Sequence, residues 1–598
     1  MNIKRILIPV SFLTALTLSG CSGINNKDHS DGAPSSSDIS VPESDPSGKT
    51  SNGGIAPEIT FMDTPSFPSV SNSGDFAITT EDGTFTQEGN IYTITSAGSY
   101  NLTGVLDDGQ ILVNAGKDDE VEINLNGVSI TCNSDSPIKV LKADKVEISA
   151  KKKTSNLIKD NRSVKTLDNE ELGEGAINAK CDLKLKGTGI LVIEGNYSNG
   201  VHTTKDLTIQ KEELYVLATN NALKGKDSIT MVSGNVTAIS KKGNGLKTDN
   251  SDISSKGNQR GSITISGGTL IVDAPNDALD ASYNVIINED NEDSLSTNIT
   301  AKTGLNATYS ANYSSSDSAK GLKADNIVDI SKGNVAIKAS DDAIHANYGE
   351  QLENEEIGLG NINISGGLVG LTSGDDAIHA DNTLNISGGD IVVLNSKEGL
   401  EANHIEISDG NTYVYASDDG VNASRKIDEE PTILISGGFL DVEVSNGDTD
   451  GIDSNGTYTQ TGGLVISRGS PNNANNMSTG LDAEGYAAIF GGTFIAFNGV
   501  EKTPHQGDGV LYAYYGSAEG PHGPHGPHPM LDASNITFNP GTYTLTGGEM
   551  NKTYKNNYSY STFLIYSNEM SLNTAYTLNN GSSSVLSWTQ NSNSQALQ

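Results

Sequence analysis

The sequence predicts an all-β protein: a parallel β-helix, a solenoid of stacked coils, with β caps at its N-terminal and C-terminal ends. Three observations predict it. The heptapeptide SDDAIHA (Ser340 to Ala346) recurs as GDDAIHA (Gly374 to Ala380) and then, more loosely, as KEGLEA and DDGVNA, so that Ala377, Gly399 and Gly420 open equivalent units 22 and then 21 residues apart. Each unit continues through I-x-I-S-G-G into an alternating strand such as DIVVLNS, with a period of two and no helical period. Three short strands per unit cannot bury a core alone but can when stacked, whereas a β-propeller needs about 40 residues and four strands per unit.

Taken in order, residues 1–20 read as a lipoprotein signal peptide. A basic start (Lys4, Arg5) and a short apolar run lead to Leu18-Ser19-Gly20-Cys21, which makes Cys21 the lipidated first residue of the mature chain. The expected location is therefore the cell envelope, surface-exposed and held to the lipid membrane by an N-terminal acyl anchor. Residues 21–73, rich in Ser, Asp, Gly, Pro and Asn, read as a flexible tether. Residues 74–174 read as an N-terminal cap and the first coils, because FTQEGNIYTITSAGSYNLTGVL, GQILVNA and DEVEINLNGVSITC alternate apolar and polar residues. Residues 175–498 carry the plain repeats, with longer gaps at Asn288 to Asp317 and Asn347 to Gly358 that read as inserted loops. Residues 499–598 read as a His/Pro/Gly loop, GPHGPHGPHP, followed by a C-terminal β cap that covers an otherwise sticky sheet edge. Cys132 and Cys181 fall at different points of the repeat and read as two buried thiols.

The formal net charge of -37 excludes nucleic acid as a partner. It also repels an acidic polysaccharide unless cations intervene. A single tryptophan, Trp588, leaves few aromatic platforms for sugars, and the loop tyrosines Tyr283, Tyr309, Tyr313 and Tyr348 are the available ones.

Stacking turns the repeat into columns about 4.8 Å apart. In each unit the residue after a small Ala or Gly is Ile, Leu or Val and points inward, so its successor points outward. That outward column reads Asn178, His202, Lys224, Lys247, Asp280, Lys323, His345, His379, Glu401, Asn422, Asp453, Asp482. The column before the small residue reads Asn199, Asn221, Asn244, Asp277, Lys320, Asp342, Asp376, Glu398, Asp419, Asp450, and ends in five consecutive carboxylates. Neighbouring charges at that spacing repel by roughly 0.9 kcal/mol in bulk water and about 3.5 kcal/mol at an effective dielectric of 20. Against a stability margin of about 5–15 kcal/mol, something must offset them. Solvation is one answer; calcium, which takes six to eight oxygen ligands, is the sharper one. The expected ligands are Asp341, Asp342, Asp375, Asp376, Glu398, Glu401, Asp418, Asp419, Asp448, Asp450, Asp453 and Asp482. Magnesium and zinc suit an oxygen-rich ladder less well, and His345 and His379 read as hydrogen-bonding surface residues.

The opening AGSYNLTGVLDDGQILVNAGKDDEVEINLNGVSI, the following PIKVLKADKVEI, and the DDAIHA, ISGG and DGIDSNG repeats together resemble the bacterial carbohydrate-binding domain-containing proteins, the cellulose- and polygalacturonate-binding β-helix family first described in clostridia. The resemblance spans roughly Asp75 to the C-terminus. It implies a right-handed parallel β-helix similar to pectate lyases, bound calcium with Asp342, Asp376, Asp419 and Asp450 among its ligands, and affinity for plant polysaccharides. No catalytic residue is assigned. Two alternatives stay open: a calcium-dependent polysaccharide lyase using Lys224, Lys247, Lys320 or Lys323 as base, and a structural adhesin.

Overall fold

Each coil contributes one apolar side chain at the same place inside the solenoid, and the strand pairing stacks them. A computed structural model of the chain describes residues 51–166, 172–290, 295–353, 356–445, 447, 449–471, 478–516 and 536–597. In it, Ile177, Val201, Leu223, Leu246, Leu279, Leu322, Ile344, Ile378, Leu400, Val421 and Ile452 succeed one another through parallel pairings. All are fully buried, and each contributes about 1.5–3 kcal/mol by leaving water. One coil is typical: strands Asn199–Thr203, Asp206–Gln210 and Glu212–Ala218 pair in parallel with Leu223–Gly225, Ser228–Met231 and Gly234–Ser240 of the next. Among the described residues there is no α-helix, only two single 3-10 turns, Gly304–Asn306 and Ser310–Asn312.

The S-G-G segments stack where one sheet bends into the next. Their second glycines, Gly268, Gly367, Gly389 and Gly438, have φ between +72° and +90°. A Cβ at Gly268 would sit 2.2 Å from the carbonyl oxygen of Gly234 in the preceding coil, so the repeat needs glycine there both for conformation and for space.

Antiparallel strands close the ends. At the N-terminus Ala77–Thr80 pairs with Gly98–Leu106, and Phe85–Glu88 with Ile91–Ile94. At the C-terminus Phe563–Ser567 pairs antiparallel with Thr493–Phe497 and with Leu511–Tyr515. A separate four-stranded antiparallel sheet, Gly541–Gly547, Met550–Asn556, Thr574–Asn580 and Ser583–Gln590, packs Tyr543, Tyr554, Tyr576 and Trp588 into a second core. Arg468, fully buried, joins the solenoid to this sheet: its guanidinium donates to Asn556 Oδ1 at 2.6 Å, to the carbonyls of Val442 and Lys555 at 2.9 Å, and pairs with Asp441.

Two readings of the sequence need correction. Residues 51–73, expected as part of a tether, run as a strap along the third sheet from the C-terminal cap back to the first coils. Thr553 N–H donates to Asn52 O and Lys552 Nζ to Ser51 O; farther along, Met62 N–H reaches Thr300 Oγ1, Phe67 meets Tyr215 edge-on at 5.5 Å, and Asn72 bonds Ser129 and Ser155. The reason lies in an outward column that is largely apolar. Val192, Tyr215, Thr237, Ile271, Thr300, Ala336, Gly370, Val392 and Tyr413 follow one another in register, and Val192, Ile271, Ala336 and Val392 are buried although they face outward. Gly370 leaves the room that Ile59 fills. The stretch Asn288 to Asp317, expected as a loop, contains a regular coil strand, Thr297–Thr303, paired with Gly268–Ala274 and Asn334–Lys338.

Cys132 and Cys181 are buried free thiols. The signal segment, Cys21, Asp448 and the GPHGPHGPHP stretch lie outside the described residues.

Candidate functional site

The outward residues after each buried Ile, Leu or Val stand in one column. From Asn178 through His202, Lys224, Lys247, Asp280, Lys323, His345, His379, Glu401, Asn422 and Asp453 to Asp482, each is the direct partner of the next. Side-by-side stacking removes much of this column from water; Asp280 and Glu401 are each only 5% exposed.

The neighbouring column of Asn and Asp is a ladder of side chain to backbone hydrogen bonds. Asn221 N–H donates to Asn199 Oδ1, Asn244 N–H to Asn221 Oδ1, Asp277 N–H to Asn244 Oδ1, Asp376 N–H to Asp342 Oδ1 and Asp450 N–H to Asp419 Oδ1, at 2.7–3.2 Å. Thr479 closes the run by donating to Asp450 Oδ1. Hydrogen bonds to charged groups contribute about 1.5–3 kcal/mol each, so the backbone amide of the following coil meets part of the repulsion between stacked acids.

Charge compensation then divides the ladder into three parts. In the first coils the lysines are ion-paired: Lys224 with Asp249, Lys247 and Lys323 with Asp280, and Lys320 with Asp341 at 2.9 Å and Asp342 at 2.7 Å. Burial would lower Lys247, Lys320 and Lys323, but the facing carboxylates outweigh it and hold all three above the usual lysine range. His202 is the opposite case. Burial, and then the charge of Lys224, push it down to about 4.

In the middle coils two imidazoles stack, His345 on His379, with centroids 4.7 Å apart. His345 Nδ1 lies 2.8 Å from Asp342 Oδ2, and its Nε2 lies 2.7 Å from Asn347 Oδ1. His379 Nδ1 faces two carboxylates at once, Asp376 Oδ2 at 2.7 Å and Glu401 Oε2 at 2.9 Å, while its Nε2 is 3.2 Å from Asp381 Oδ1. Burial would lower His379; the hydrogen bonds to Asp376, Asp381 and Glu401 raise it to about 11. Burial likewise opposes ionisation of Asp342, but the His345 hydrogen bond and the Lys320 ammonium hold it well below the usual carboxylate range. Burial and the facing carboxylates raise Asp376 to about 6, while bonds from His379, Asp376 and Lys426 overcome burial to lower Glu401.

In the last coils the acids face one another without such partners. Burial, then the charges of Glu401, Asp376 and Asp419, push Glu398 up to about 8. Burial raises Asp450 to about 7, with the charges of Asp419 and Asp453 adding to it against the Thr479 bonds. Asp453 rises to about 6 through burial, with Glu484 and Glu501 adding to it, and Asp482 to about 8 through burial and its contact with Glu501. Among the described residues none of Glu398, Asp450, Asp453 and Asp482 forms an ion pair.

The expected ligands are thus only partly convergent. Asp341, Asp342 and Asp375 offer oxygens within 4.8 Å of one another, as do Asp376 and Glu401 with His379, and Asp342 with both histidines. Glu398, Asp418, Asp419, Asp450, Asp453 and Asp482 join none of these groups. His345 and His379 hydrogen-bond as expected, though largely buried; sequence reasoning missed Asn347, Asp381 and Lys426, which fix His345, His379 and Glu401. A signal for the first two was available: the doubled motif extends one residue further, as DAIHAN and DAIHAD.

Comparison with known proteins adds a family. The family described as carbohydrate-binding domain-containing protein matches residues 88–358 and 349–445. A carbohydrate-binding domain-containing protein of Acetivibrio thermocellus is 30% identical over 219 residues, which cover 36% of this chain and 66%, just under two thirds, of that relative. A solved structure described as a polysaccharide lyase-like protein from C. thermocellum, a gadolinium derivative, is 31% identical over 37% of this chain and 85% of that one, with a TM-score of 0.33.

Proposed function

The chain belongs to the carbohydrate-binding domain-containing protein family, and on that premise we propose that it binds polysaccharide of plant type or acidic character, with calcium held along the carboxylate ladder. The observation that carries the calcium reading is the last part of the ladder. Glu398, Asp450, Asp453 and Asp482 are raised by burial and by neighbouring carboxylates, the condition of oxygen donors short of a cation. With Asp419 in register beside Asp450, these residues fit the oxygen-only preference of calcium. The first rung fits it less well, because Lys320 already lies against both Asp341 and Asp342. A bound divalent ion neutralises the ladder and leaves open coordination positions for sugar carboxylates or hydroxyls, which answers the repulsion expected from a chain of net charge -37.

Tyr348 supplies a platform beside the ladder. The residue is 46% exposed, and its backbone N–H donates to Asp381 Oδ2 at 2.9 Å, which fixes it near His379. Tyr348→Ala is expected to weaken glycan retention with no change in melting temperature; aromatic stacking elsewhere is worth about 0.5–1.5 kcal/mol.

Binding is favoured over elimination by the state of the lysines. A lyase base must lose its proton near neutral pH, and Lys247, Lys320 and Lys323 are held protonated by Asp280, Asp341 and Asp342. Affinity electrophoresis in polygalacturonate gels, with calcium and with chelator, tests the reading. Calcium-dependent retardation without ultraviolet absorbance from unsaturated products supports it; growth of that absorbance would establish the lyase instead. We place the protein at the cell envelope through acylated Cys21, which predicts release of Cys21→Ala into the soluble fraction.

A further inference from the structure

We propose that the stacked histidine rungs form a site for one divalent transition-metal ion of the zinc, cobalt and nickel class, held by His345 and His379 with a carboxylate oxygen of Asp342, and flanked by a second group, Asp376 and Glu401, that shares His379. This is a different chemistry from the oxygen-only calcium positions of the later coils, and it does not depend on the glycan reading.

The geometry comes first. Around a metal with ligand distances of about 2.0–2.2 Å, adjacent donor atoms of a tetrahedral or octahedral shell lie roughly 3.0–3.5 Å apart. Here the nitrogen to oxygen separations are 2.8 Å for His345 to Asp342, 2.7 Å for His379 to Asp376 and 2.9 Å for His379 to Glu401. The two rings stack with centroids 4.7 Å apart and the donor atoms of each group lie within 4.8 Å of one another, so shifts of about 1 Å close them on one ion. Imidazole nitrogen with carboxylate oxygen selects first-row transition metals over calcium.

A proton alone accounts for the contacts less completely. The Nδ1–H of His379 points along one direction, yet two carboxylate oxygens converge on it. The other oxygen of that carboxylate, Asp376 Oδ1, is buried without a hydrogen-bond partner, in a side chain only 7% exposed. A buried carboxylate oxygen without a partner is costly unless a proton or a cation satisfies it.

The surroundings have the organisation of a metal centre. Metal-bound histidines direct their other ring nitrogen to a carboxylate, carbonyl or water that fixes the ring. His379 Nε2 meets Asp381, itself held by Tyr348 N–H, and His345 Nε2 meets Asn347, itself held to Asp325. Glu401 keeps Oε2 toward His379 because Lys426 and Ser424 occupy Oε1.

The test uses the full chain carrying His522→Gln, His525→Gln and His528→Gln, so that the histidine-rich segment cannot bind the probe. Co2+ is titrated in excess calcium and followed by its visible absorption. The expected result is saturation at one equivalent, affinity weakened at least about tenfold by His345→Gln or His379→Gln, and no change with Asp482→Asn. Absence of saturable absorption, or affinity unchanged from the parent chain in both histidine variants, overturns the site. X-ray absorption of the zinc-loaded protein needs neither histidine variant to fold: two imidazole ligands support the proposal and none refutes it. Calcium-dependent glycan retention measured on His379→Gln separates failure of this site from failure of the glycan reading.

Discussion

Glu212 points into the solenoid beside Leu214 and Val216, 1% exposed, with no hydrogen-bond partner for either carboxyl oxygen. Burial, and then the charge of Glu213, push it up to about 9. A carboxyl whose folded value lies above its unfolded value stabilises the fold fully below about pH 4.5 and progressively loses that contribution as pH rises toward 9. Melting temperature is therefore expected to fall across that window, and Glu212→Gln to flatten the fall and to be the more stable protein at pH 9 by about 1–3 kcal/mol. A variant whose pH profile overlies that of the unmodified chain would contradict this assignment. At the same scale, the sequence was more informative about position than about partners. Alternation alone placed His379 and Glu401 side by side, as found. It could not reveal that Asp381 turns back onto His379, because that contact depends on side-chain torsions two residues along the strand.

At the scale of elements, the coils were legible and the strap was not. The inward Ile, Leu and Val repeat often enough for their columns to be read directly, whereas the strap has no repeat of its own and its partners are spread from Ser129 to Thr553. Its prolines and serines suggested a tether; its apolar residues, Ile59, Phe61, Met62 and Phe67, acquire meaning only against the outward column they cover. Gly370→Val is expected to collide with Ile59 and to cost about 1–3 kcal/mol in denaturant unfolding. An unchanged midpoint would show that the strap is not held at that point. The C-terminal cap depends on a buried charge pair: Arg468→Met leaves Asp441 uncompensated beside Glu443, an arrangement that costs about 3–5 kcal/mol. Loss of cap cooperativity in a thermal melt checks it.

Over the whole molecule, charge is distributed along the solenoid axis rather than evenly. Lysines answer the acids in the earlier coils, histidines in the middle, and in the last coils Glu398, Asp450, Asp453 and Asp482 face other carboxylates without a cationic partner among the described residues. The stacked carboxylates were evident from the repeat, but the sequence treated them as one uniform ladder. The distinction arises because a lysine one coil away reaches across to an acid, as Lys320 does to Asp342, and because backbone amides take one oxygen from several rungs. Removal of divalent ions is accordingly expected to lower the melting temperature, with the loss concentrated in the C-terminal coils.

The most direct measurement is retention of the full chain on immobilised polygalacturonate over a calcium titration, comparing the unmodified protein with Asp450→Asn combined with Asp482→Asn. Calcium-dependent retention that requires at least about tenfold more calcium in the double variant is the predicted result. Retention indifferent to calcium, or identical in the two proteins, would contradict the assignment of the last coils as the cation-bridged glycan surface.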